Sequence, residues 1–149
     1  MPRKPSLKLQ EQVRTRAAQL CEYCHTNERW QYVRFTIDHL LPVAEGGTDA
    51  LDNLALACFH CNRRKSNMQT ALDPVTQQEV ALFNPRTHVW AAHFIWSSDG
   101  LTIEPLTPTG RATLELLELN RERIQDIRAA DVAVKRHPPP QDPIQEAIE

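Results

Sequence analysis

Between Ser6 and Leu20 the apolar residues Leu9, Val13, Ala17 and Leu20 recur at helical spacing. Ser6 is placed to cap that helix, which should stop near Cys21. A loop over 26–33 precedes a short strand, about Arg34 to Asp38, and then a Pro-Val-Ala-Glu-Gly-Gly loop. A second apolar run covers Leu54 to Ala57, and the residues after Cys58-Phe-His-Cys61 should be helical. Beyond Asp73-Pro74 the period changes. Trp90, Ala92, Phe94 and Trp96 alternate onto one face of an expected hairpin, whose return strand begins at Leu101 and Ile103. Asp99-Gly100 supplies its turn, with positive φ expected at both central positions. A longer helix from Thr109 or Gly110 to about Val134 carries Leu114, Leu117, Ile124 and Ile127 as its stripe, and a core of Trp90, Phe94 and Trp96 with Leu114 and Leu117 follows. His93 faces away from the tryptophans and reads as surface.

These patterns predict an α+β chain in three parts: a module over 1–70, a β-hairpin plus long helix over 71–134 packing as an extension, and a mobile Pro-rich tail over 135–149. Residues 1–5 read as a loose basic end. At 149 residues, 41% hydrophobic and 24% charged, the composition is that of an ordinary soluble domain, or a small one with an appendage. No apolar stretch approaches a membrane span, and the start MPRKPSLKLQ lacks a signal-peptide core. A cytoplasmic location is therefore expected, with no membrane partner. The net charge of −2 argues against a bulk polycationic nucleic-acid binder. It conceals an asymmetry: residues 1–70 hold 10 Lys/Arg against 7 Asp/Glu, and residues 71–149 hold 7 against 12. A polyanion would bind the first half.

Cys21 and Cys24 are spaced C-x2-C, as are Cys58 and Cys61. In a reducing compartment two such pairs read as four thiolate ligands for one structural Zn²⁺. A redox dithiol expects a βαβ context that is missing, and would leave the protein without zinc. His25 and His60 adjoin the pairs as substitute ligands. The 33 residues between Cys24 and Cys58 exceed a zinc-ribbon gap, so a substantial unit is looped out there. That unit contains Asp38, His39 and Asn53.

Side chains alternate along a strand, so Asp38 and His39 should point to opposite sides at its end. One can bind a metal while the other faces a water. Asn62 opens the following helix, where its amide oxygen can reach a hard cation. Oxygen donors of this kind suit Mg²⁺ or Mn²⁺. A neutral imidazole can take a proton from water at neutral pH, so the set suits metal-assisted phosphodiester hydrolysis.

The run FTIDHLLPVAEGGTDALDNLALACFHCNRRKSN, flanked by CEYC, resembles the signature of the HNH endonucleases, the ββα-metal or His-Me finger nucleases, in their zinc-stapled branch. The resemblance covers roughly Arg16 to Asn67 and implies a ββα-metal core stapled by the four cysteines. It implies His39 as general base and Asp38 as the metal-binding residue beside it. Asn53 would brace the loop and orient the base, and Asn62 would complete the divalent-ion site. Many members carry histidine at that third position; this chain reads His-Asn-Asn. Arg63, Arg64 and Lys65 would meet the phosphate backbone. Leu-Phe-Asn-Pro-Arg, Trp-x-x-His-Phe-x-Trp and Gly-Arg-Ala-Thr further downstream resemble segments behind zinc-type HNH modules of bacterial proteins.

The expectation is an endonuclease that nicks DNA, most naturally double-stranded, with a dimer or two encounters needed for a double-strand break. The alternative is a non-catalytic zinc module that binds nucleic acid or protein.

Overall fold

A computed structural model of the chain describes residues 4–146. Residues 1–3 of the expected basic end and 147–149 of the tail lie outside the described residues. The chain divides into two units, Met1–Gln69 with Asn84–Thr87, and Thr70–Phe83 with His88–Glu149.

In the first unit, α1 spans Leu7–Arg16 and begins where Ser6 Oγ accepts from the Leu9 amide. It ends earlier than expected: Ala18 and Gln19 take positive φ, and Leu20 pairs with Asn27 across the first cysteine knuckle. The apolar stripe persisted past the helix because Cys21 must turn into the knuckle. Strands β1 (Thr36–His39) and β2 (Leu54–Ala57) pair antiparallel, with Asp38 opposite Ala55 and His39 opposite Leu54. Helix α2 (Phe59–Lys65) follows directly, its Cys58 cap accepting the Cys61 amide on Sγ. This two-strand, one-helix core is the ββα arrangement. All four β2 residues are buried, but two are alanines, so the interior is thin. Polar ties supplement it. Arg14, 6% exposed, bonds Glu28 and the Phe35 carbonyl, and Arg16 reaches the carbonyls of Leu51 and Leu54.

In the second unit, β3 (Thr70–Leu72) pairs with β4 (Glu79–Ala81). Residues Trp90–His93 form a helical turn, α3, so the strand expected from Trp90 starts only at Phe94. One alternating face and one helical turn both bring the aromatics together: the Trp90 ring lies 5.2 Å from Phe94 and 5.8 Å from Trp96. The hairpin is β5 (Phe94–Trp96) against β6 (Ile103–Pro105). Gly100 alone takes positive φ in its turn, because Asp99 accepts from Ser97 Oγ and the Leu101 amide instead. The expected long helix is two, α4 (Pro108–Leu117) and α5 (Glu122–Ala133). Glu118 is left-handed, Leu119 is buried, and Asn120 pairs with both backbone groups of Ile103, which requires the break. Leu117 is buried with the aromatics, while Leu114 is half-buried. His93 bonds Thr107 Oγ1 and stacks near His88 rather than lying on the surface.

The proline-rich tail is also ordered differently from its composition. Ile144 bridges Trp96 in parallel, Trp96 Nε1 donates to Asp142, and His137 meets the Trp96 ring edge-on at 4.4 Å. Arg128, 2% exposed, places its guanidinium 4.8 Å from the Trp96 ring and donates to the carbonyls of Leu101 and Leu119. Fully buried Asp73 is gripped by Arg111, which holds its carboxyl well below the usual carboxylate range. No helix among the described residues is long and apolar enough to cross a membrane.

Candidate active site

The four cysteine sulfurs lie within 4.8 Å of one another, all buried, with Cys24 and Cys58 at 3.8 Å. A tetrahedral ion with bonds of about 2.3 Å sets its sulfurs about 3.8 Å apart, so the cluster has the size zinc needs. Burial pushes the Cys21 thiol up, and crowding by the other sulfurs pushes Cys61 up while the same contacts pull Cys24 down. The four sulfurs are positioned to hold one cation, and the Cys61 amide and Thr26 hydroxyl already lie against two of them. Neither His25 nor His60 belongs to the cluster.

The clamp joins the knuckle before β1 to the start of α2, which fixes the strand and helix that frame an open cleft of ≈ 730 Å³. Asp38, His39, Asn62 and Arg63 all line it. Alternation predicted that Asp38 and His39 would part; both border the cleft because β1 ends at His39. Asp38 is 5% exposed, and its Oδ2 receives the Tyr23 hydroxyl at 2.7 Å and faces Lys65 Nζ at 3.2 Å. Burial and the Asp38 charge push the Tyr23 phenol well up, so it stays a donor. Both of these partners meet Oδ2 rather than Oδ1.

Lys65 was expected at the phosphate backbone. It is instead 3% exposed and turned inward to Asp38, making an ion pair without a well-directed hydrogen bond. The reason is helical period: Lys65 lies three residues beyond Asn62, on the same side of α2. Arg63 and Arg64 are exposed.

His39 Nε2 lies 2.8 Å from Asp49 Oδ1. The sequence reading missed this partner, since Asp49 and Asp52 both follow the glycine pair and nothing in the pattern chooses between them. Asn53 does not bond the imidazole. Its amide accepts from the Leu41 N–H and donates to the carbonyls of Leu41 and Thr48, closing the loop between the strands. Gly47 completes that closure. A Cβ there would stand 1.7 Å from the Leu41 oxygen, so no other residue fits. A downstream segment also enters the unit: Arg86 bonds Glu22 and the Leu54 carbonyl, while Glu22 accepts the Leu56 amide.

Residues 21–68 match the family model described as HNH endonuclease. This segment is similar to the HNH endonuclease domain. The HNH match begins at Cys21 and ends just past α2, so it contains the sulfur clamp, both strands and the cleft. No curated protein and no solved structure gives a significant match to the chain.

Proposed function

We propose that the HNH domain hydrolyses phosphodiester bonds of DNA, one strand per site, with His39 as general base. The observation that carries this reading is the meeting of an imidazole, a carboxylate, an amide oxygen and an exposed arginine on one open cleft inside the matched segment.

Asp49 accepts the Nε2 proton of His39, which leaves the lone pair on Nδ1 to take a proton from the attacking water. The water oxygen bonds to phosphorus as that proton leaves, the bond to the 3′ oxygen breaks, and the 3′ oxygen takes a proton from solvent water, giving a 5′-phosphate and a 3′-hydroxyl. Asp38 and Asn62 offer the hard oxygen donors that suit Mg²⁺ or Mn²⁺. Bound there, such an ion supplies the positive charge that stabilises the phosphate as the bond breaks. Tyr23 and Lys65 hold the Asp38 carboxylate in one orientation, and Asn53 keeps the loop carrying Asp49 closed. Arg63 and Arg64 engage the backbone phosphates. Cleavage of both strands requires two copies or two encounters.

The non-catalytic reading has one observation in its favour: Lys65 already neutralises Asp38, so a second cation meets a carboxylate of reduced attraction. Plasmid relaxation with added Mg²⁺ or Mn²⁺ separates the two. Nicking by the wild type and a loss of about 10²–10⁴-fold in His39→Ala is the expected result. Nicking that survives the substitution removes His39 from the reaction, and no nicking in either ion favours the non-catalytic module.

A further inference from the structure

The segment between the first cysteine knuckle and β1 reads Arg29-Trp30-Gln31-Tyr32-Val33-Arg34, and neither the clamp nor the reactive cleft uses it. Its apolar side chains face water. Tyr32 is fully exposed at 103%, Val33 58% and Trp30 39%, with the Arg29 guanidinium 5.6 Å from the Trp30 ring. Aromatics left in solvent between arginines match the chemistry of stacked bases on a phosphate chain.

A second cleft, of ≈ 380 Å³, adjoins this segment. Lys4, Arg14 and Arg34 line it with Phe35, Thr36 and Ile37, and no acidic residue lines it. Arg14 is committed to Glu28, but Lys4 is exposed, and Arg34 is held only loosely, 3.9 Å from exposed Glu11. Ile37 lines both this cleft and the reactive one. The two clefts therefore share one residue of β1, the basic one bordered by Arg34 and the other by Asp38 and His39. Tyr32 precedes Asp38 by six residues, at most about 20 Å of extended chain, a few nucleotides from the cut.

We infer that Lys4 and Arg34 seat a backbone phosphate and that Tyr32, with Trp30, stacks on a neighbouring unpaired base, so that the domain selects DNA with a locally opened strand beside the cut. A base within an intact duplex has no free face for Tyr32, whereas a bubble or flap offers one. This rests on the nucleic-acid part of the proposed function.

The test is binding of fluorescein-labelled oligonucleotides, duplex and bubble, to the zinc-loaded protein without added magnesium or manganese, so that DNA stays whole. A 2-aminopurine in the bubble reports stacking through quenching. The bubble should bind several-fold tighter than the duplex. Tyr32→Ala should weaken bubble binding about tenfold and restore the fluorescence, while Tyr32→Phe keeps both. Arg34→Gln should weaken both DNAs alike and lower the salt slope by about one. Tyr32 and Arg34 are both exposed, so these variants do not threaten the fold. Equal affinities for bubble and duplex with unchanged quenching in Tyr32→Ala would overturn the stacking role, leaving the nuclease reading intact if wild-type plasmid nicking persists. No binding to either DNA overturns the stacking proposal, and the absence of plasmid nicking with Mg²⁺ or Mn²⁺ as well overturns both.

Discussion

In the unit that carries the cleft, Leu54, Leu56, Val13 and Tyr23 share the interior with four thiols, Asp38, Lys65, Arg14 and Glu28. In the other, Trp96, Phe94, Trp90, Ile103, Leu117 and Leu119 form an aromatic-rich interior, with Asp73 paired to Arg111 and Arg128 donating to the Leu101 and Leu119 carbonyls inside it. Each large aromatic removes on the order of 150–250 Å² from water, which alanines at Ala55 and Ala57 cannot match. A buried cysteine cluster and directed polar bonds supplement a small hydrophobic interior in the unit that keeps an open cleft. The aromatic unit needs no such opening, so it is closed by packing.

Zinc withdrawal should break the contrast most sharply. A chelator, or Cys58→Ser, is expected to unfold the first unit, since ligation of a structural zinc is worth roughly 10–16 kcal/mol. Hydrogen exchange should then show β1, β2 and α2 unprotected while β5 and β6 remain protected. Trp96→Ala is the reciprocal test, expected to cost about 3–5 kcal/mol in the second unit, read as a lower denaturant midpoint by near-ultraviolet circular dichroism. Asn53→Ala removes three bonds from the inter-strand loop and should cost about 1–3 kcal/mol while the metal-to-protein ratio stays unchanged. A drop in bound zinc would mean that loop and clamp are one structure.

The smallest effect is acid sensitivity in the second unit. Burial against Trp96 lowers the His137 pKa, with Arg128 adding to the effect and Asp131 and Asp142 opposing it. The unfolded chain therefore takes up the proton first. The stabilisation is fully present above the ordinary histidine value and is lost as pH falls below it. Tryptophan emission should shift to the red over that window in the wild type, and less in His137→Gln.

The cysteine cluster was legible in the chain because metal ligation fixes both residue type and spacing, and Asp38, His39 and Asn62, singled out by the same pattern, line one cleft. Their supports were not. Tyr23 is a middle residue of a knuckle, Asp49 is one of two acids after the glycines, and Lys65 reads as a solvated helix face until α2 is wound against β1. The second unit erred differently. Composition suggested a free tail, but a tryptophan edge with one open N–H and one open backbone face recruited Asp142, Pro143 and Gln145. The helix break at Glu118 likewise comes from Asn120 bonding a strand, which helical periodicity does not encode.

Arg86 has a practical consequence for anyone who wishes to transplant the module. Its guanidinium fastens the knuckle acid Glu22 and a strand carbonyl from a point 64 positions downstream. A fragment trimmed at the boundary suggested by composition would carry every ligand and yet lack its lock. The smallest portable version extends through Thr87, or must replace that cation with one supplied by a new host.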